Sequence, residues 1–131
     1  MIVVDTNIII HFWTDTIETP LAHDLFRLDP EWRAPALWRS ELRNAVALFM
    51  RHRSLPLNAG KELVQSAEEM MAGRDFIVDS SDVLDLVSRS TCSAYDCEFV
   101  ALAQELTVPL ITTDRKIVRE FPEIARLLSA P

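Results

Sequence analysis

The sequence predicts an α/β fold built on a mainly parallel sheet. Three observations predict it. Short β-branched runs alternate with helical patterns along the chain, the order that layers helices on a parallel sheet. The first run, Ile2-Val3-Val4, is apolar on both faces, as a strand buried in mid-sheet must be. That run and a later one, Leu110–Thr113, each lead directly into an acid, and the carboxyl edge of such a sheet is where open α/β folds build their sites.

Taken in order, Ile2–Asp5 is the first strand, and a helical turn, Thr6–Phe12, follows it. No element is read from there to Arg33–Leu37, a strand candidate that Pro35 opposes. Leu42, Val46 and Phe49 recur at i, i+4, i+7, so a helix runs from Trp38 to His52. Pro56 opens a second long helix that reaches Met71 and stops at Gly73. Phe76–Val78 is a short strand. Ser81 caps a helix through Val83, Leu84 and Val87. Ser93 caps another from Ala94 to Leu106, which ends before Pro109. Leu110–Thr113 and Ile124–Leu127 complete the strands.

Composition narrows the function. A chain of 131 residues fits a single domain, 1–131, and buries roughly two-thirds of its unfolded surface without staples. Twenty acids oppose thirteen bases, a net charge of −7, so a basic nucleic-acid coat is excluded. Two glycines, far below the usual ~7%, exclude a glycine-rich phosphate cradle. Asp5 interrupts the apolar N-terminus early and no basic segment precedes it, so neither a signal peptide nor a membrane span is expected. Cys92 and Cys97 match no zinc spacing and read as reduced packing thiols of a cytoplasmic protein. The scattered His11, His23 and His52 make no zinc motif either.

Most of the acids read as solvated faces, Glu98 and Glu105 among them. Four do not. Asp5 ends the first strand, with an N-cap role equally open to it. Glu41 shares a side of its helix with Ala45 and Leu48, at the margin of the apolar stripe, where a favourable meeting with the helix dipole also explains it. Asp96 tops the stripe Phe99, Val100, Ala103; a capping box with Ser93 accounts for its spacing but not for its apolar face. Asp114 follows the fourth strand and can cap the segment after it. If the first and fourth strands are neighbours, Asp5 and Asp114 face each other across a topological switch point. Carboxylates crowded in one cleft repel and raise one another's pKa, which a hard divalent cation resolves. Mg²⁺ or Mn²⁺ takes oxygen ligands and leaves positions for phosphate oxygens, so the implied chemistry is metal-assisted phosphodiester hydrolysis.

These residues resemble a known family. Ile2-Val3-Val4-Asp5-Thr6-Asn7 is similar to the opening motif of PIN-domain ribonucleases. Ser40-Glu41 resembles their second acid, and Tyr95-Asp96 with the run Cys97-Glu98-Phe99-Val100-Ala101-Leu102-Ala103 resembles the third motif. Thr112-Thr113-Asp114 resembles the Thr-x-Asp at the end of the fourth strand. The four stand in order over nearly the whole chain, and the subgroup that looks nearest is the VapC-type toxins of toxin–antitoxin pairs. The resemblance implies a three-layer α/β/α sandwich with a parallel sheet of four or five strands in the order 3-2-1-4-5. It implies a Mg²⁺- or Mn²⁺-dependent endoribonuclease, with Asp5, Asp96 and Asp114 as metal ligands and Glu41 holding the metal or its water. Asn7, Ser40 and Thr112 match supporting polar neighbours. Arg115, Lys116 and Ile117 stand where some members carry a further acid, which favours one strong metal site over two. A homodimer and an antitoxin partner are implied as well, with no membrane.

Arg39 and Arg43, beside Glu41, and Arg115 and Lys116, beside Asp114, are candidate RNA contacts, with surface ion pairs such as Arg115–Glu120 as the alternative. Trp13 and Trp38 are candidates for stacking on bases, against core packing. His11-Phe12-Trp13 and Leu48-Phe49-Met50 are candidate interface patches. Other readings are weaker. A haloacid-type phosphatase needs Asp-x-Asp, and Asn7 stands at the second position. A receiver domain could use Asp79 but lacks its lysine. A housekeeping PIN ribonuclease and a non-catalytic PIN-like scaffold stay open as alternatives.

Overall fold

The computed structural model describes residues 1–131. The chain runs β1 (Ile2–Val4), α1 (Thr6–Trp13), α2 (Thr19–Leu28), β2 (Trp32–Pro35), α3 (Trp38–His52) and α4 (Leu57–Met70). It continues β3 (Asp75–Phe76), α5 (Ser80–Ser88), α6 (Ala94–Leu106), β4 (Leu110–Thr112), α7 (Arg115–Glu120) and β5 (Ala125–Leu127). All five strands are parallel, in the order β3-β2-β1-β4-β5. The fold class and strand order are those expected. Helix α1 packs with α2, α3 and α4, while α5 packs on α6, which in turn covers β1, β2 and β4.

Strand β1 lies between β2 and β4, with Val3 opposite Leu110 and Val4 opposite Ile111. Its three residues are buried on both faces, which is why they read as an unbroken apolar run. The strand order reverses at β1 and β4, so the crevice beyond their carboxyl ends is the switch point of the sheet.

Several local expectations shift. Helix α2 is an element that the sequence reading missed. Its apolar positions Ala22, Leu25 and Phe26 follow helical spacing, but Thr19, Pro20, His23 and Asp24 dilute the stripe and no side chain caps its start. Pro35 ends β2 instead of forbidding it, since a proline at the strand terminus costs one ladder donor only. Strand β3 starts one residue earlier than the Phe76–Val78 reading, because Ala34 and Ala36 donate to the carbonyls of Arg74 and Phe76. Asp79, not Ser81, caps α5, its carboxylate accepting from the Asp82 N–H. Gly73 takes φ +74° just past α4, the left-handed turn that glycine tolerates best.

The core contains Trp32, Trp38, Phe99 and Phe121, each 1% exposed or less and each worth roughly 1.5–3 kcal/mol of burial. Trp38 is therefore a core residue and not a platform for bases. Phe12 stands edge-on to Trp13, His23, Phe26 and Trp32, at 4.6–5.6 Å between ring centres. The His11-Phe12-Trp13 segment is thus largely spent on internal packing. No helix is long and apolar enough to cross a membrane.

Candidate active site

The four singled-out acids line one pocket of about 500 Å³ at the switch point. Asp5 enters from the end of β1, Glu41 from the first turn of α3, Asp96 from the first turn of α6, and Asp114 from just past β4. Four separate elements therefore deliver one carboxylate each. Asp5 stands at the carboxyl end of β1 and also caps α1. Its Oδ1 accepts the Thr6 N–H at 2.8 Å, at the start of α1, and its Oδ2 accepts the Thr112 hydroxyl at 2.7 Å and the Asn7 amide at 3.1 Å.

Thr112 is the hub of this arrangement. While donating to Asp5 its hydroxyl also accepts the Asp114 N–H at 2.9 Å, tying the end of β4 to the end of β1. Asn7 closes the ring, its Oδ1 accepting the Thr113 N–H at 3.2 Å. The expected neighbours Asn7 and Thr112 thus touch the acids directly. Ser40 lines the pocket but is exposed and bonds none of them. The hydroxyl that holds Glu41 is one the sequence reading passed over: buried Thr6 donates to Glu41 Oε1 at 2.7 Å. Thr6 lay inside the quoted opening motif, and its position just after Asp5 was the available signal.

Electrostatics set the site apart. Burial pushes the Asp5 carboxyl up to about 6; the Thr112 hydrogen bond opposes this, and the charges of Glu41 and Asp96 add to it. Burial also raises Glu41, eased by the Thr6 bond and reinforced by Asp96. No lysine or arginine forms an ion pair with any of the four. Asp96 receives no cap from its own side chain: the Ser93 hydroxyl accepts the Asp96 N–H, and the carboxylate stays in the pocket. Asp114 spends Oδ1 on the Lys116 N–H and keeps Oδ2 free.

The four acids line the pocket, but no three of them close into a cage of metal ligands. The donor set is all oxygen, negative and without a protein counter-ion. That suits a hard divalent cation that retains waters, and it does not suit zinc.

The basic candidates divide. Residues 39 and 41 lie about 200° apart around a helix, so Arg39 and Arg43 face away from Glu41. Both line a larger cavity of 630 Å³ between α3 and α4. Arg39 Nε donates to Asp75 at 2.7 Å and Nη1 to Glu68 at 2.8 Å, with its guanidinium over the Trp38 ring. The expectation that Arg39 and Arg43 flank the acids is corrected on that geometry. Arg115 and Lys116 are exposed at the start of α7, outside the pocket lining. Glu120 bonds Thr91 and does not pair with Arg115.

One further acid gathers here. Glu98, expected on an outer face with Glu105, is half-buried, and its carboxyl is raised by burial and by the Glu41 charge. The thiols of Cys92, pushed up to about 11, and Cys97 are raised chiefly by burial and behave as packing groups.

The parallel sheet with strand order 3-2-1-4-5 and four carboxylates at its switch point places the molecule among the α/β proteins whose site lies beyond the carboxyl ends of the strands. The PIN-domain model matches residues 2–126, and the chain belongs to that family. PIN domains are in general metal-dependent nucleases. Among solved structures, FitAcB from Neisseria gonorrhoeae is similar at 20% identity, with 98% of this chain and 97% of that chain covered and a TM-score of 0.75. FitAB bound to an IR36 DNA fragment is similar at 19% identity, covering 97% and 94%, with a TM-score of 0.73. No curated protein matches the sequence.

Proposed function

We propose that this chain is a single PIN domain, residues 1–131, that cleaves RNA phosphodiester bonds as a Mg²⁺- or Mn²⁺-dependent endoribonuclease, the cytoplasmic toxin of a VapBC-type pair. The observation that carries the nuclease reading is the pocket itself: four carboxylates from four elements, with no cationic partner among them. Asp5, Asp96 and Asp114 would hold the cation. Once bound, it would polarise the scissile phosphate and lower the pKa of a coordinated water. The protein's own part is positioning. Thr112, Asn7 and the Thr6 N–H fix the Asp5 carboxylate, and the Thr6 hydroxyl fixes Glu41. Glu41 or Asp96 accepts the proton of the attacking water. Arg115 and Lys116, next to Asp114, are the bases left to meet the RNA backbone.

The antitoxin and the homodimer rest on the resemblance to small toxins. The DNA fragment in the FitAB structure is that protein's ligand; in this reading any DNA contact falls to the antitoxin and not to a chain of net charge −7. Sequencing RNA ends after expression of wild type and Asp5→Asn tests the activity. New 5′-phosphate ends in wild type alone support it. Equal ends in both, or none with added Mg²⁺ or Mn²⁺, overturn it.

A further inference from the structure

A second, smaller pocket of 370 Å³ adjoins the acid pocket. Its walls are Val78, Val83, Leu84 and Ala94, and its polar groups are Ser80 and Glu98. Tyr95, the only tyrosine of the chain, lines both pockets and forms the ridge between them. It is 63% exposed, and it is the one aromatic ring on the acid pocket. Neither packing nor a hydrogen bond accounts for it. Glu98 is half-buried, makes no hydrogen bond or ion pair within the chain, and has another carboxylate, Glu41, as its charged neighbour.

From this juxtaposition we infer that the pocket behind Tyr95 receives one nucleobase of the single-stranded substrate, stacked on the Tyr95 ring and read by the Glu98 carboxylate. The inference rests on the nuclease reading and adds a specificity site to it. The walls suit a flat apolar face. The Glu98 carboxylate in the lining suits a base edge that donates: a carboxylate accepts from an exocyclic amine. Adenine, cytosine and guanine carry such an amine; uracil offers only its N3–H, set between two carbonyl oxygens that repel a carboxylate. Continuity with the acid pocket explains why a base and not another flat molecule would enter, because a strand with its phosphate at the acids passes over Tyr95. A cation is the other ligand Glu98 could take, but four of the seven lining residues are aliphatic and offer it no oxygen.

The test has two arms. In the first, the full chain with Mn²⁺ cuts a randomised single-stranded RNA pool, and product ends are sequenced for wild type, Tyr95→Ala, Tyr95→Phe and Glu98→Gln. Wild type should show uracil depleted at one fixed position beside the cut. Glu98→Gln should relax that depletion about tenfold. Tyr95→Ala should raise KM about tenfold with kcat little changed, and Tyr95→Phe should restore it. In the second arm, RNA carrying 2-aminopurine at that position is bound without metal, and its fluorescence should be quenched by wild type and not by Tyr95→Ala. Cleavage without a uracil-depleted position, or without Tyr95-dependent quenching, overturns the base pocket and leaves the nuclease standing. Quenching without any cleavage overturns the nuclease and keeps the pocket. A Glu98→Gln that weakens Mn²⁺ binding while the cleavage profile stays unchanged overturns the assignment of Glu98.

Discussion

Helix α3 carries a charged cluster on each of two opposite faces, and the two are built on opposite rules. On one face Arg39 lies between Asp75 and Glu68, with the Trp38 indole also donating to Asp75 at 3.1 Å. Each of these three charges has a partner of opposite sign. Burial alone would raise Asp75, but the Arg39 and Trp38 bonds outweigh it and hold the carboxyl below its usual range. On the other face Glu41 meets Asp5 and Asp96 with hydroxyls and amides for company and no cation. There the carboxyls go up. The first cluster fastens β3 to α3 and α4. The second holds unbalanced negative charge, which contributes nothing to the stability of the protein alone and needs a ligand to make sense.

The contrast breaks most sharply at Asp5. Asp5→Asn should reduce metal-dependent cleavage to background while circular dichroism shows the fold intact, since Asn keeps the shape and removes the charge. Retained cleavage would remove Asp5 from the site.

Next is Thr6→Val, which deletes the hydroxyl that fixes Glu41 without touching the pocket's charge. Partners that orient a ligand in this way are typically worth 10–100-fold, so kcat should fall by about that factor with substrate binding near wild type. An unchanged kcat in single-turnover measurements would make the Thr6–Glu41 bond incidental.

The third prediction uses the opposite pKa directions. Asp5 in the folded chain ionises at about 6, above its unfolded value of 3.8, so its contribution to stability is full below 3.8 and is lost as pH rises through 6. About two pKa units correspond to about 3 kcal/mol. Without metal, wild type should lose Tm relative to Asp5→Asn between pH 4 and 6.5, and Mn²⁺ should recover the loss at pH 7.5 but not at pH 4.5. Asp75 runs the other way: its contribution is present above 3.8 and is lost as pH falls through its lowered value. A wild-type minus Asp5→Asn difference that stays flat with pH would contradict the burial argument.

The smallest effect belongs to the balanced face. Arg39→Ala should cost about 1 kcal/mol in chemical denaturation, through lost ion pairs and lost packing on Trp38. Its cleavage rate should stay at wild type. A drop in cleavage at unchanged stability would return Arg39 to the RNA path.

Most of the strands and three of the four acids were legible because each leaves a local mark; the sheet order and the weight given to Glu41 came from the family resemblance. Asp5 and Asp114 close β-branched runs, and Asp96 sits on an apolar helical stripe. The first helix after α1 was illegible because the stripe in α2 is too short and too diluted to stand out. Arg39 was misjudged by nearness in sequence, since two residues along a helix is almost half a turn. Glu98 was misjudged by angle: seven residues keep Glu98 and Glu105 on one side of α6, but only the start of that helix borders the pockets. Periodicity reports direction around an axis, and position along the axis is decided by neighbours no local pattern contains.

The bond from Thr112 to Asp5 joins residues 107 apart in the chain. A chain made only as far as Leu106 has Asp5, Glu41 and Asp96 but neither the hydroxyl that clamps Asp5 nor the acid at 114, and its central strand still has an unpaired edge. The pocket of the four acids is therefore complete only where β4 lies beside β1, so the two ends of the chain must meet before it exists.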